Sequence, residues 1–272
     1  MEGHSAGTPG SLIVTFFGAY GRAELGGRID VASLIRLMGA AGADPPSVRS
    51  AVSRLKRRGL LVPSRAGGAA GYALSADAEQ VLADGDRRIY RPLTSPPDEG
   101  WVLAVFSVPE SERHKRHLLR SRLARLAFGT AAPGVWLAPA RLYEEARHTL
   151  ERLELDTYVD LFRGTHLGFE PTRSAVRRWW DLEAIAALHR DFLDAHEPVL
   201  ERWSRRSSVT PREAFPDYLR ALDAWRRLPY ADPGLPAQLL PAHWPGGRAA
   251  EVFTALHKRL RDAGAAFVHT PA

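Results

Sequence analysis

The chain contains no cysteine in 272 residues. That excludes a disulfide framework and any thiolate zinc site, and it fits a reducing cytoplasm. No apolar run approaches the roughly 18 residues that span a bilayer, so no membrane association is expected. Met1–Gly10 lacks the basic start and apolar centre of a secretion signal and is expected to be a frayed tail. Also missing are a Gly-x-Ser-x-Gly elbow, a phosphate-binding P-loop and a dinucleotide fingerprint. There is no internal repeat and no low-complexity tract.

What is present is a globular composition, 45% apolar and 25% charged, with a net charge of +6. The position of that charge is informative. Between Gly21 and Arg65 stand nine basic residues (Arg22, Arg28, Arg36, Arg49, Arg54, Lys56, Arg57, Arg58, Arg65) against three acids (Glu24, Asp30, Asp44), a local +6 equal to the excess of the whole chain. A basic segment on an otherwise balanced protein points to a polyanionic partner.

The periodicity of that region predicts three helices and a hairpin. Ser11 is expected to cap a helix carrying Leu12, Ile13, Phe16, Phe17 and Tyr20, ended by Gly21. Asp30 caps a second, with Val31, Leu34, Ile35 and Met38 on one side, broken by Gly39 and Gly42. Asp44-Pro45-Pro46 starts a third, because a first-turn proline sacrifices no helical hydrogen bond. Its buried face is Val48, Ala51, Val52 and Leu55, and Gly59 stops it. Leu60–Pro63 and Gly71–Leu74, separated by a glycine-rich stretch that includes Gly67-Gly68, read as a hairpin. Ser75 caps a further helix running to about Ile89.

At 100° per residue along Pro45–Arg58, Ser50, Ser53 and Arg57 lie opposite the apolar set, flanked by Arg49 and Arg54. Short hydroxyls permit close approach to DNA, and arginine takes both acceptors of a guanine edge. Ser50, Ser53 and Arg54 are therefore assigned to bases. Lys56, Arg57 and Arg58, near the helix end, suit phosphates, and Arg65 near the hairpin tip suits the minor groove or a phosphate.

Pro92–Gly100 (PLTSPPDEG) reads as a linker. Beyond it, strands are expected at Trp101–Val108, Gly134–Ala138 and Asp156–Arg163. Helices are expected at Glu112–Ala127, with Leu119, Leu123 and Leu126 on one face, and at Pro139–Leu153. This alternation fits a ferredoxin-like sandwich. After Thr172 the helical period returns. Trp179, Trp180, Leu182, Ile185, Leu188, Phe192 and Leu193 are expected along one helix, followed by helices at Ala214–Leu228 and Ala249–Ala263 around a proline-rich loop, Pro229–Gly247. The fold class is thus α+β, with a winged helix-turn-helix in residues 11–91, a linker in 92–100, a ferredoxin-like domain in 101–170 and a helical domain in 171–272.

Several stretches resemble one family: "SLIVTFFGAYG", "LIRLMGAAGADPPSVRSAVSRLKRRGLL", "RRIY", "PGVWLAP", "WDLEA", "FLDAHEPVL" and "WRRLPYADPGLPAQLLPAHWPG". In this order and spacing, from Ser11 to about Val268, they are similar to the PaaX family of phenylacetate-catabolism repressors. The resemblance implies a dimeric repressor on a double-stranded DNA operator that is an inverted repeat. It also implies a central domain related to the CRISPR-associated small endoribonucleases, and release from DNA by an acyl-coenzyme A such as phenylacetyl-coenzyme A.

That ancestry raises metal-dependent phosphodiester cleavage, which needs carboxylates around a cation. Those nucleases carry an Asp at the end of the first strand; here the strand ends Phe106-Ser107-Val108-Pro109. Glu110 and Glu112 fall at a helix start, where acids complement the dipole. The histidine pairs His114/His117 and His189/His196 lack a carboxylate in ligand spacing, so neither a metal site nor a cofactor is expected, and no enzyme. For an acyl-coenzyme A, arginine beside aromatic surface is the chemistry to seek. Arg173, Arg177 and Arg178 beside Trp179 and Trp180 are the preferred candidates. Arg113, His114, Lys115, Arg116, His117 and Arg120 form a second cluster, read as a solvated face. The competing readings are a non-sensing architectural nucleic-acid-binding protein and a divalent-metal nuclease.

Overall fold

The structure, a computed structural model, describes residues 7–66, 68–90, 95–96 and 99–270. Most of the expected linker, residues 92–94 and 97–98, and the tail residues 1–6 lie outside the described residues, as does Gly67 in the hairpin tip. The chain divides into two compact units. One contains Met1–Arg91, Asp191–Arg226 and Gly247–Ala272; the other contains Pro92–Arg190 and Arg227–Gly246.

In the first unit, α1 (Pro9–Phe16) runs through a π-helical turn (Phe17–Gly21) into α2 (Arg22–Leu25). Two expectations fail here. The cap is Thr8, whose side chain accepts from the Ser11 amide, and the helical path passes Gly21 to end at Gly26. Gly21 is there for packing: a Cβ would lie 2.7 Å from the Phe17 ring. Ser11 itself is buried, and its hydroxyl donates to Asp223. The segment then forms β1 (Arg28–Asp30), α3 (Val31–Ala40), α4 (Pro45–Arg57), β2 (Leu61–Ala66), β3 (Ala69–Leu74) and α5 (Ala76–Tyr90). Gly39 lies inside α3 and does not break it. The Asp30 and Ser75 caps form as expected, accepting from the Ser33 and Ala78 amides.

β3 pairs antiparallel with both β1 and β2 in a three-stranded sheet. The three-residue β1 is too short to show an alternation in the sequence. It approaches β3 so closely that a Cβ on Gly71 would lie 2.1 Å from the Ile29 carbonyl oxygen. The helical residues from Asp191 to Ser204, α10 (Pro211–Trp225) and α12 (Gly246–Val268) complete this unit. Phe16, Tyr20, Phe215 and Tyr218 pack ring against ring, and the Trp225 indole donates to the Ile89 carbonyl. The C-terminal residues set apart in the sequence as a separate helical domain are therefore shared between the two packing units. Helical periodicity shows that a face is apolar but not which segment covers it.

The second unit holds β4 (Trp101–Phe106), α6 (Arg113–Arg125), β5 (Gly129–Ala132), β6 (Val135–Pro139), α7 (Tyr143–Arg152) and β7 (Val159–Gly164). The sheet is antiparallel throughout, in the order β5-β6-β4-β7. β5 is a strand the sequence did not disclose, because Gly-Thr-Ala-Ala has no apolar alternation. Val102, Ala104, Trp136 and Ala138 on one face pack with Leu119, Leu123 and Leu150. Trp101 and Leu137 on the other pack with Val176, Trp180, Leu235 and Leu240, so the proline-rich loop, with its short α11 (Leu228–Ala231), contributes core. The expected continuous helix through Trp179 and Trp180 is two helices, α8 (Thr172–Trp179) and α9 (Leu182–Ser204). Trp180 is extended between them, and Asp181 accepts from the Ala184 amide to restart the turn. Leu188, expected on the apolar face, is exposed.

Candidate nucleic-acid interface

α4 begins because Asp44 accepts the Ser47 amide at 2.9 Å, while Pro45 and Pro46 occupy the first turn. The hydrogen bonds from Ser47 hold the Asp44 carboxyl below its ordinary value. Val48, Ala51, Val52 and Leu55 are buried, which fixes the rotation of the helix. That rotation leaves Arg49, Ser50, Ser53, Arg54, Lys56, Arg57 and Arg58 all exposed. Arg65 is exposed on β2, and its guanidinium donates to the Gly68 carbonyl at 3.1 Å.

The structure sorts these side chains into two groups. Arg49, Ser53, Lys56 and Arg57 line a cleft of about 370 Å3, with Val31, Leu34 and Ile35 of α3 behind and Tyr72 of β3 opposite. The Lys56 ammonium lies 5.8 Å from the centroid of the Tyr72 ring. Ser50 and Arg54 form the other group: the Arg54 guanidinium donates to the Ser50 hydroxyl at 2.7 Å, one helical turn away. Arg54 is thereby held along the helix surface, with further donors available.

Not every cation of the basic segment faces out. Arg22 pairs with Asp86 at 2.7 Å, and Arg36 lies 5.3 Å from the centroid of the Phe267 ring. These two serve the fold. Tyr72 was missed in the sequence; the signal available was an aromatic residue in a strand of the basic hairpin.

The residues singled out for an effector are placed differently. Trp180 is buried, its indole donating to the Ala127 carbonyl at 2.9 Å, and with Trp101 and Trp179 it forms an aromatic cluster. Arg173 donates to the Leu240 carbonyl, Arg178 pairs with Glu170, and Arg177 is exposed. Trp180 is thus core, and two of the three arginines are engaged with the chain itself. In the other basic cluster, Lys115 donates to the Tyr158 hydroxyl at 2.7 Å and pairs with Glu112.

His189 is buried with Nε2 at 2.8 Å from Asp232, and His196 is buried beside Phe192. Among the described residues no three His, Asp or Glu side chains gather as metal ligands. Nor is any helix among them long and apolar enough to cross a membrane.

Three stretches match known protein families: residues 8–78 the PaaX-like protein, 94–176 the PaaX protein central Cas2-like domain, and 180–270 the PaaX-like protein C-terminal domain. The chain belongs to the PaaX family. The transcriptional repressor PaaX of Escherichia coli is 28% identical over 265 residues, covering 95% of this chain and 82% of that protein. Among solved structures, an uncharacterized protein from Mycobacterium tuberculosis shares the fold at a TM-score of 0.58 and 23% identity, covering 94% of this chain and 97% of that one.

Proposed function

We propose that this PaaX-family protein is a transcriptional repressor, not an enzyme, that grips double-stranded DNA through a winged helix-turn-helix. α3 braces, α4 enters the major groove, and the β2–β3 hairpin is the wing. The face of α4 carries this reading: a buried apolar side fixes the helix, and beyond the two first-turn prolines the exposed side is made of hydroxyls, guanidiniums and the Lys56 ammonium. Arg49, Ser50, Ser53 and Arg54 address base edges, while Lys56, Arg57, Arg58 and Arg65 address phosphates and the flanking groove.

The four-stranded antiparallel unit is read as a ferredoxin-like domain. The protein acts in the cytoplasm as a homodimer on an inverted repeat, and an acyl-coenzyme A such as phenylacetyl-coenzyme A releases it by binding the DNA-free arrangement better. The repressor named in the E. coli relative supports this reading.

The test is selection from a random duplex pool with the purified protein. The expected result is an enriched inverted repeat bound at least ~10³-fold more tightly than random DNA. Enrichment of no sequence, with strong salt dependence, would instead favour an architectural protein. Cleavage of DNA or RNA in magnesium or manganese would favour a nuclease.

A further inference from the structure

The antiparallel unit has a cleft that the DNA-binding reading does not use. It opens beyond the end of β4, between the β5–β6 hairpin and one face of α6, with a volume of about 490 Å3. That is within the range of small-molecule sites, ~300–1,000 Å3. Its walls are apolar: Phe106, Trp136 and Pro133 line it, with Thr130 at the side. Trp136 is rooted in the core of the sheet, and the Phe106 amide bonds the Gly134 carbonyl at 2.9 Å, so the hairpin turn is tied to the end of β4.

Two cations complete it, Arg116 and Arg120, one turn apart on α6. They are differently held. Arg116 donates to the Val108 carbonyl at 2.7 Å and pairs with Glu110 at 3.1 Å, so its charge is locally answered. Arg120 is exposed and has no partner among the described residues. An apolar slot with a fixed aromatic wall and one unanswered guanidinium selects a ligand that is apolar at one end and anionic at the other.

We propose that this cleft binds a small apolar anion, an aromatic or branched aliphatic body bearing a carboxylate, sulfonate or phosphate. Phe106, Trp136 and Pro133 hold the body, and Arg120 meets the anion. The inference rests on the ligand-responsive reading only for its purpose in the cell. Binding is tested without DNA, so its failure leaves the DNA-binding reading untouched, and the reverse.

The probe is naphthalene-2-sulfonate, with neutral naphthalene-2-sulfonamide and inorganic sulfate as controls. Affinity is read by calorimetry, and position by the Trp136 indole N–H resonance, assigned with Trp136→Phe. The sulfonate should bind and shift that resonance, the sulfonamide should bind at least ~10-fold more weakly, and sulfate should not bind. Arg120→Ala should abolish the difference between sulfonate and sulfonamide. Thr130→Trp, which fills the slot without changing charge, should abolish binding at an unchanged thermal midpoint. No binding of the sulfonate to the native chain, or equal binding to native protein and Thr130→Trp, overturns the proposal.

Discussion

Asp223 is buried in α10 and accepts hydrogen bonds from the Ser11 and Thr15 hydroxyls, both at 2.6 Å, while Arg226 approaches at 3.2 Å. A buried carboxylate persists only when its lone pairs are answered, and these donors answer it. Removing it takes the acceptor from the Thr15 hydroxyl and the Gly7 amide, and leaves Ser11 and Arg226 only their bond to each other at 2.8 Å. Asp223→Ala should cost about 3 kcal/mol by urea denaturation, and a cost under about 1 kcal/mol would show the node to be dispensable. His196 offers a second test. Burial pushes its pKa down from the ordinary 6.5 to about 4. The unfolded chain therefore takes up the proton first, and stability falls as pH drops from about 6.5 towards 4, by ~3 kcal/mol in all from this one group. In thermal melts between pH 7 and pH 4.5, His196→Gln should lose stability less steeply than the native chain; parallel slopes would remove the assignment. Neither role was legible in sequence. Ser11 reads locally as a cap, and its true partner is 212 residues away.

At the scale of the element, α4 was legible almost whole. Its cap, its prolines, its buried stripe and its stop at Gly59 are all local, and local determinants survive translation into structure. β1 and β5 were not, because three or four residues of small side chains carry no period. The break at Trp180 was hidden for a different reason. Both tryptophans fit a helical stripe, but the sheet requires Trp180 extended so that its ring stacks on Trp101 at 5.9 Å. Structure also divides the exposed face of α4 in a way the projection did not, pairing Arg54 with Ser50 and setting Lys56 over Tyr72. Lys56→Ala should weaken binding alike on all duplexes and reduce the slope of log affinity against log salt by about 1. Anisotropy titrations at several salt concentrations check this, and an unchanged slope would place Lys56 off the phosphates.

For the whole molecule, the basic excess of +6 between Gly21 and Arg65 matches the charge of the full chain. Of those nine cations, Arg22 and Arg36 are half-buried and serve the fold, and the seven exposed ones include all those assigned to DNA. The unit that carries α4 also contains α10 and α12, so residues distant in sequence build the platform on which α4 stands. The sequence showed the helices but not this partition, which depends on contacts across some 200 residues. On the proposed function, the exposed face of α4 reads DNA sequence. The most direct test of this claim is a competition titration of a duplex enriched from a random pool against random DNA, with the native chain and Arg54→Ala side by side. The native chain should prefer the enriched duplex strongly, and Arg54→Ala should lose roughly 1–3 kcal/mol of that preference while keeping its affinity for random DNA nearly unchanged. Equal preference in the two proteins, or a loss of equal size on both duplexes, would contradict the claim.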